Sequence, residues 1–437
     1  MRRVAFLAAV VCLRINAQQA AGSKQAFVPS DQLNDQLPKW LRFSGEYRMR
    51  MESFSGPGFK GDSSDLYFLN RFRFNMKVQP VSWLKFQFQA QDARVWGKNQ
   101  NPAAAPYQDR MDLRLAYVEA GDIEKKSFGF RGGRQELAFG EQRLLGNSNW
   151  INAARTFDAV RGTVRHNGFR LDAFAATVVN AKDGEFNEHT AGNNLHGLYG
   201  GIEKLVPNAV IEPYLFWRLS QRLRTEAGTL GNLDLKTAGV RFVGKLPLNL
   251  DYAMEMATQS GGLGTDDISA WAGHWRLGHT RAKMRFKPRL VWEYNYATGD
   301  SNPKDGKRGT FDTLYPTPHD KYGLTDQVGW KNIHALKIGV ELRPHSKWMM
   351  SSFFHDSWLA SATDALYVAN GAVSVRPTAK SVGRHVGEEL AAQVMYTANK
   401  QIQIAGGAGH LFPGQFLKTT TPGKSFNFSY LSFGYSF

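Results

Sequence analysis

The strongest constraint on this chain is a recurring segment of about ten residues in which apolar and polar side chains alternate. Period-two alternation is the mark of a strand with one greasy and one polar face. Eighteen such segments are legible, at 40–51, 65–79, 83–96, 109–119, 128–136, 157–166, 169–180, 195–206 and 209–219, then 234–245, 250–259, 268–277, 285–296, 332–343, 348–358, 388–398, 402–411 and 425–437. Alternation is weakest at 128–136 and 268–277. The connections alternate as well. Short ones fall at Pro80–Ser82, His166–Gly168, Pro207–Asn208, Leu246–Asn249, Pro344–Lys347 and Asn399–Gln401. Longer ones lie between them, at 52–64, 97–108, 137–156, 181–194, 220–233, 297–331, 359–387 and 412–424. An even strand count with short turns on one side and long loops on the other predicts an all-β fold. The expected form is a single closed antiparallel transmembrane β-barrel of about eighteen strands, its short turns periplasmic and its long loops extracellular. A propeller or β-helix would repeat at a fixed period, and no such repeat is visible.

Both ends agree with a barrel. Near the C-terminus Leu431, Phe433, Tyr435 and Phe437 alternate with Ser432, Gly434 and Ser436. So greasy a terminal strand is a liability in a soluble sheet, but a barrel needs it to close on the first strand and face lipid. Its final Phe437 resembles the end of bacterial outer-membrane proteins, where that residue is read as an assembly signal. At the other end, Met1-Arg2-Arg3 precedes the apolar run Val4–Leu13, which is too short to span a bilayer. Residues 1–17 read as a signal peptide cut after Ala17, 18–39 as a polar, disordered periplasmic lead, and 40–437 as the barrel. Cleavage would remove Cys12, the sole cysteine, so neither disulfide nor thiol chemistry is expected. It would also lower the formal charge from +16 only to +13, by loss of Arg2, Arg3 and Arg14. No apolar run of 18 residues follows, so membrane insertion must be through strands.

The alternation sorts side chains to faces. Arg42, Arg48 and Arg50 oppose Leu41, Phe43, Tyr47 and Met49, and Arg71, Arg73 and Lys77 oppose Phe72, Phe74, Met76 and Val78. Arg110 and Arg114 oppose Met111, Leu113 and Leu115, and Arg285 and Arg289 oppose Phe286, Leu290 and Trp292. A cationic side chain at the lipid midplane costs about 2–4 kcal/mol, so these residues are expected to line the lumen. Glu46, Asp112, Glu293 and Glu341 can brace some of them, yet the basic excess predicts an electropositive pore that attracts anionic solutes. A pore this wide needs an inward loop to narrow it, and Arg143 to Asn152 is the candidate. The alternative is a structural or adhesive barrel with a plugged lumen.

Two stretches carry more than periodicity. Gly133-Arg134-Gln135-Glu136-Leu137 leads through Arg143, Asn147, Asn149 and Trp150 to Arg155-Thr156-Phe157-Asp158 and Arg161. Its guanidiniums can fork onto carboxylates, its amides can address hydroxyls, and Trp150 offers the flat apolar surface on which sugars stack. The second stretch runs from Tyr296 through Gly299-Asp300, Asp305-Gly306-Lys307, Thr310-Phe311-Asp312, Tyr315-Pro316-Thr317 and His319 to Tyr322-Gly323. Together they resemble the alginate export family of outer-membrane porins. The resemblance implies an eighteen-stranded barrel with an electropositive pore that exports an anionic uronate polysaccharide such as alginate. It matches Arg134, Arg155, Asp158 and Arg161 to the family pattern, with Gln135, Glu136, Arg143 and Trp150 in the same run.

Catalysis is the weaker reading. His319-Asp320 and His355-Asp356 are adjacent pairs, with Ser346 and Ser357 near histidines, but neighbours on a strand point to opposite faces. No catalytic residue, cofactor or metal site is expected. His274 and His279 fall on opposite faces, and Asp300–Gly306 looks only faintly like a calcium loop because Lys304 stands where an acid is needed. The expected partners are outer-membrane lipids and lipopolysaccharide, the barrel assembly machinery and an anionic saccharide or other small anionic solute. No nucleic-acid partner is expected.

Overall fold

The computed structural model describes residues 28–99 and 105–437. The expected signal peptide, 1–17, lies outside them. Eighteen strands form one closed antiparallel barrel. The first nine are β1 (Leu41–Ser55), β2 (Ser64–Val81), β3 (Leu84–Trp96), β4 (Asp109–Gly121), β5 (Phe128–Gln135), β6 (Phe157–His166), β7 (Phe169–Asn180), β8 (Glu188–Ile202) and β9 (Ala209–Arg224). The second nine are β10 (Leu230–Leu246), β11 (Leu250–Leu263), β12 (Asp266–Thr280), β13 (Arg289–Ala297), β14 (Ile333–Leu342), β15 (Trp348–Leu359), β16 (His385–Thr397), β17 (Ile402–Pro413) and β18 (Phe426–Ser436). Each pairs with its chain neighbours, and β1 pairs with β18 from Glu46 opposite Ser436 to Ser55 opposite Asn427. Closure leaves no strand edge unpaired, which is the condition for a sheet to sit in lipid.

Every expected strand is present, including the two with weak alternation. The short turns use left-handed residues where a tight hairpin demands them. Between β6 and β7, Asn167 (φ 48°) and Gly168 (φ 88°) supply the pair of positive φ angles of a two-residue primed turn. One outer connection is also tight, since only residues 264–265 join β11 to β12. The largest boundary difference is at β8, expected from residue 195 and observed from Glu188, and β13, expected from residue 285, starts only at Arg289. Pro288 has no N–H to donate, and Phe286 (φ 67°) and Lys287 (φ 45°) are left-handed, so the ladder cannot extend back through them. The lead expected to be disordered contains a helix, α1 (Pro29–Gln36). Asn34 of α1 donates to Phe43 O at 2.8 Å and accepts from Phe43 N–H at 2.8 Å, serving the backbone of β1 where β18 has ended.

Faces follow the alternation on most strands. Phe72 and Phe74 point outward at 43% and 38% exposure, while Arg71 and Arg73 point inward at 1% and 4%. The lumen itself departs from expectation, because much of it is a dry core. Inward Phe174, Phe216, Leu233 and Leu235 pack against Leu137, Phe139, Leu144, Tyr315 and Trp330 from loops 136–156 and 298–332. Phe139 stacks on Tyr199 at 4.6 Å and on Phe174 at 5.5 Å. The two loops are stitched together at Leu145 and Tyr315, where Tyr315 N–H donates to Leu144 O at 2.9 Å and Gly146 N–H to Tyr315 O at 2.9 Å. Filling this side of the barrel leaves it only a cavity of about 90 Å³ beside Leu233 and Leu235, and the larger inward spaces lie along the opposite wall.

Candidate pore and constriction

That open wall is built by β1, β2 and β16 to β18, and two cavities lie along it. The inner one, about 490 Å³, reaches the short turn Asn399–Gln401 and is lined by Arg48, Arg50, Arg71 and Lys400, with Glu46 its one carboxylate. The outer one, about 380 Å³, lies among Phe54, Tyr67, Tyr107, Phe426 and Phe428 and carries Glu52 and Asp326. Arg50 and Trp150 line both cavities and divide them.

Trp150 is held there by stacking. The Arg50 guanidinium lies 3.7 Å from the centroid of its ring, and the His319 imidazole stacks at 3.6 Å with planes 8° apart. Two groups that close to the same ring must occupy opposite faces. Tyr430 meets its edge at 4.9 Å. Trp150 therefore offers no free face as the sugar platform expected from sequence.

Segment 149–152 is tied to the wall through its carbonyls, so the expected inward loop lies in the lumen. Arg48 donates to Asn149 O at 2.8 Å, Arg50 to Trp150 O at 2.7 Å, and Arg71 to Asn149 O at 3.0 Å. Arg73 donates to Asn149 Oδ1 at 2.8 Å. Asn152 Nδ2 lies 3.0 Å from the carbonyls of Asn70, Arg94 and Tyr107. Glu46 bridges Arg71 and Arg73, Glu52 pairs with Arg50 at 2.6 Å, and Glu136 pairs with Arg114. Arg48 forms no ion pair among the described residues and spends its donors on loop carbonyls and Asn152 Oδ1.

The other expected lumen cations are scattered. Arg42 and Lys77 are cross-strand partners near the short-turn end, where Arg42 caps Pro38 O and Leu41 O. Arg289 lies across the barrel, bound to Asp251 at 2.6 Å and Glu341 at 3.0 Å. Two residues are misplaced by the sequence reading. Arg110 is exposed at the long-loop rim, paired with Asp183 at 2.9 Å, because a bulge at Met111 (φ 53°) flips the end of β4. Arg285 sits exposed in the turn before β13, its guanidinium 4.6 Å from the Phe286 ring.

Most of the family-like run braces the barrel. Arg134 forks onto Asp158 at 2.8 and 3.1 Å, and Arg161 onto Asp172 at 2.7 Å. Gln135 is fully buried and donates to Ala159 O at 2.9 Å. Arg155 donates to the carbonyls of Gly146, Tyr315 and Pro316, and burial lowers its guanidinium to about 10, which keeps it charged at neutral pH. Arg143 joins Glu293 at 3.1 Å and Glu141 at 3.3 Å beside His274. Burial pushes the Glu141 carboxyl up, but the Arg143 and Arg276 guanidiniums outweigh it and hold the group at about 2. Sequence reading missed Lys400 and Tyr430, and it named His319 only within a loop motif and a weak catalytic pair, not against Trp150. His355 and Asp356 face opposite sides of β15, as the argument against a catalytic pair requires.

A profile of the family described as Alginate export matches residues 39–430. The fold is similar to that of OpdO from Pseudomonas aeruginosa, with TM-score 0.61 at 10% identity over 92% of this chain and 99% of that one. OccAB1 from Acinetobacter baumannii gives TM-score 0.60 at 12% identity, covering 91% of this chain and 96% of its own. OccK5 (OpdH) from Pseudomonas aeruginosa gives 0.59 at 10%, over 90% and 97%. No curated protein matches the chain in sequence.

Proposed function

Because the chain belongs to the alginate export family and closes an eighteen-stranded outer-membrane barrel, we propose that it is a channel for anionic saccharides, admitted from the periplasmic mouth. The observation that carries this is the inner cavity, where Arg48, Arg50, Arg71 and Lys400 face a single carboxylate. Clustered cations in a narrow, low-dielectric space raise the potential and concentrate anions. Exposed charges in a wide pore would be screened within about 8–10 Å at physiological salt, but here loop 149–152 brings the wall close. Uronate carboxylates match guanidiniums in geometry as well as charge. Past Trp150 the path turns aromatic and carries Glu52 and Asp326, so an anion is held less tightly on the outer side and is released outward.

Blocking experiments test the substrate class. Oligouronates added on the periplasmic side of single channels should interrupt the current at lower concentration than neutral oligosaccharides of equal length, and Lys400→Gln should weaken the block. Equal block by both classes would refute uronate recognition.

A further inference from the structure

The outward face of β15 and β16 carries a group that channel function does not use. Asp356 and Glu388 are cross-strand partners, and His385 lies beside them. His385 Nε2 is 2.9 Å from Asp356 Oδ1, and one donor atom from each of the three residues lies within 4.8 Å of the others. Neighbouring His355 and Glu389 point into the lumen, which fixes the trio on the outer side. Like charges directly opposite each other on paired strands repel. Leu390 and Phe412 are exposed on the same face. The Glu388 side chain has no hydrogen bond or ion pair among the described residues.

We propose that Asp356, His385 and Glu388 form a binding site for a divalent transition cation of the zinc class, at the long-loop rim of the barrel. One imidazole and two carboxylates suit zinc and its first-row neighbours, whereas magnesium and calcium prefer all-oxygen shells. Zinc binds such ligands at roughly 2.0–2.2 Å, which sets tetrahedral donors roughly 3.3 Å apart, so the widest donor gap must close by up to about 1.5 Å. The ion takes the place of the Nε2 proton, which moves to Nδ1. It neutralises both carboxylates and ties β15 to β16. Three protein donors leave a position open, and His385 and Glu388 also line a cavity of about 380 Å³ together with Gln415 and Lys418.

Calorimetric titration of the folded, untagged barrel in detergent with Zn²⁺ tests the site. One equivalent should bind saturably, and His385→Ala and Glu388→Gln should each weaken binding by at least about tenfold, a loss no smaller than outer-shell changes produce. Co²⁺ should give a tetrahedral visible spectrum in the native protein that either substitution abolishes. If His385→Ala fails to show heat-modifiable folding, Glu388→Gln with Co²⁺ decides alone. No saturable Zn²⁺ binding by the native barrel, or binding and spectrum unchanged in the variants, would overturn the proposal. His385 and Asp356 would then be a plain ion pair.

Discussion

Arg50 makes three contacts at once, holding Glu52 at 2.6 Å, Trp150 O at 2.7 Å and the Trp150 ring at 3.7 Å. It is both part of the basic wall and the clamp on the divider between the cavities. Removing the divider should therefore enlarge the path without removing charge: Trp150→Ala is expected to raise single-channel conductance several-fold while leaving anion preference in place. Arg48→Gln should do the reverse, lowering the preference with little change in conductance. Bilayer recordings of the two variants separate bore from selectivity. A second residue-scale expectation concerns pH. Burial, aided by the neighbouring Asp300 carboxylate, raises the Glu226 carboxyl from 4.5 to about 7, and Glu226 Oε2 accepts from Gly306 N–H at 2.9 Å. A carboxyl raised by folding contributes stability below its unfolded value and loses it as pH rises through its folded value. Cleavage of the 300–308 loop by a protease should thus increase between about pH 5 and 8, and Glu226→Gln should flatten that dependence.

At the scale of elements, closure rests on the last strand. Phe437 N–H donates to Gly45 O at 2.9 Å and its carbonyl accepts from Gly45 N–H at 2.7 Å, adding a rung beyond β18. Its ring lies over Gly45, where an added Cβ would fall 2.4 Å from Phe437 Cζ, and it stacks with Tyr435 at 5.9 Å. Two hydrogen bonds at roughly 0.5–1.5 kcal/mol each and one ring pair of similar size are a small part of a whole barrel. Deleting Phe437, or making Gly45→Val, should accordingly lower the amount of heat-modifiable protein in the membrane far more than the unfolding temperature of what assembles. The strands were legible because burial on one face imposes a period of two, and the parity of turns and loops checks their number. Local backbone chemistry was not: the Met111 bulge displaced Arg110, and Pro288 cut Arg285 out of its strand. The apolar inward residues Phe174, Phe216 and Leu235 made sense only once loops arrived to cover them. Trp150 stood out in the sequence, but its surroundings depend on Arg50 and His319, and no spacing in the chain reveals that they meet on its two faces.

At the scale of the molecule, the barrel is asymmetric across its width. Loops 136–156 and 298–332 pack one side with apolar side chains, and the wall of β1, β2 and β16 to β18 keeps the larger inward cavities and the basic cluster. Many inward guanidiniums are held by carboxylates or loop carbonyls, so selectivity depends on few residues rather than on net charge. The direct measurement is the reversal potential of purified, folded barrel in a planar bilayer under a potassium chloride gradient. The zero-current potential should carry the sign of chloride preference and shrink when Arg48 and Lys400 are both changed to Gln. A potential of the opposite sign, or no conductance from heat-modifiable protein, would contradict the account.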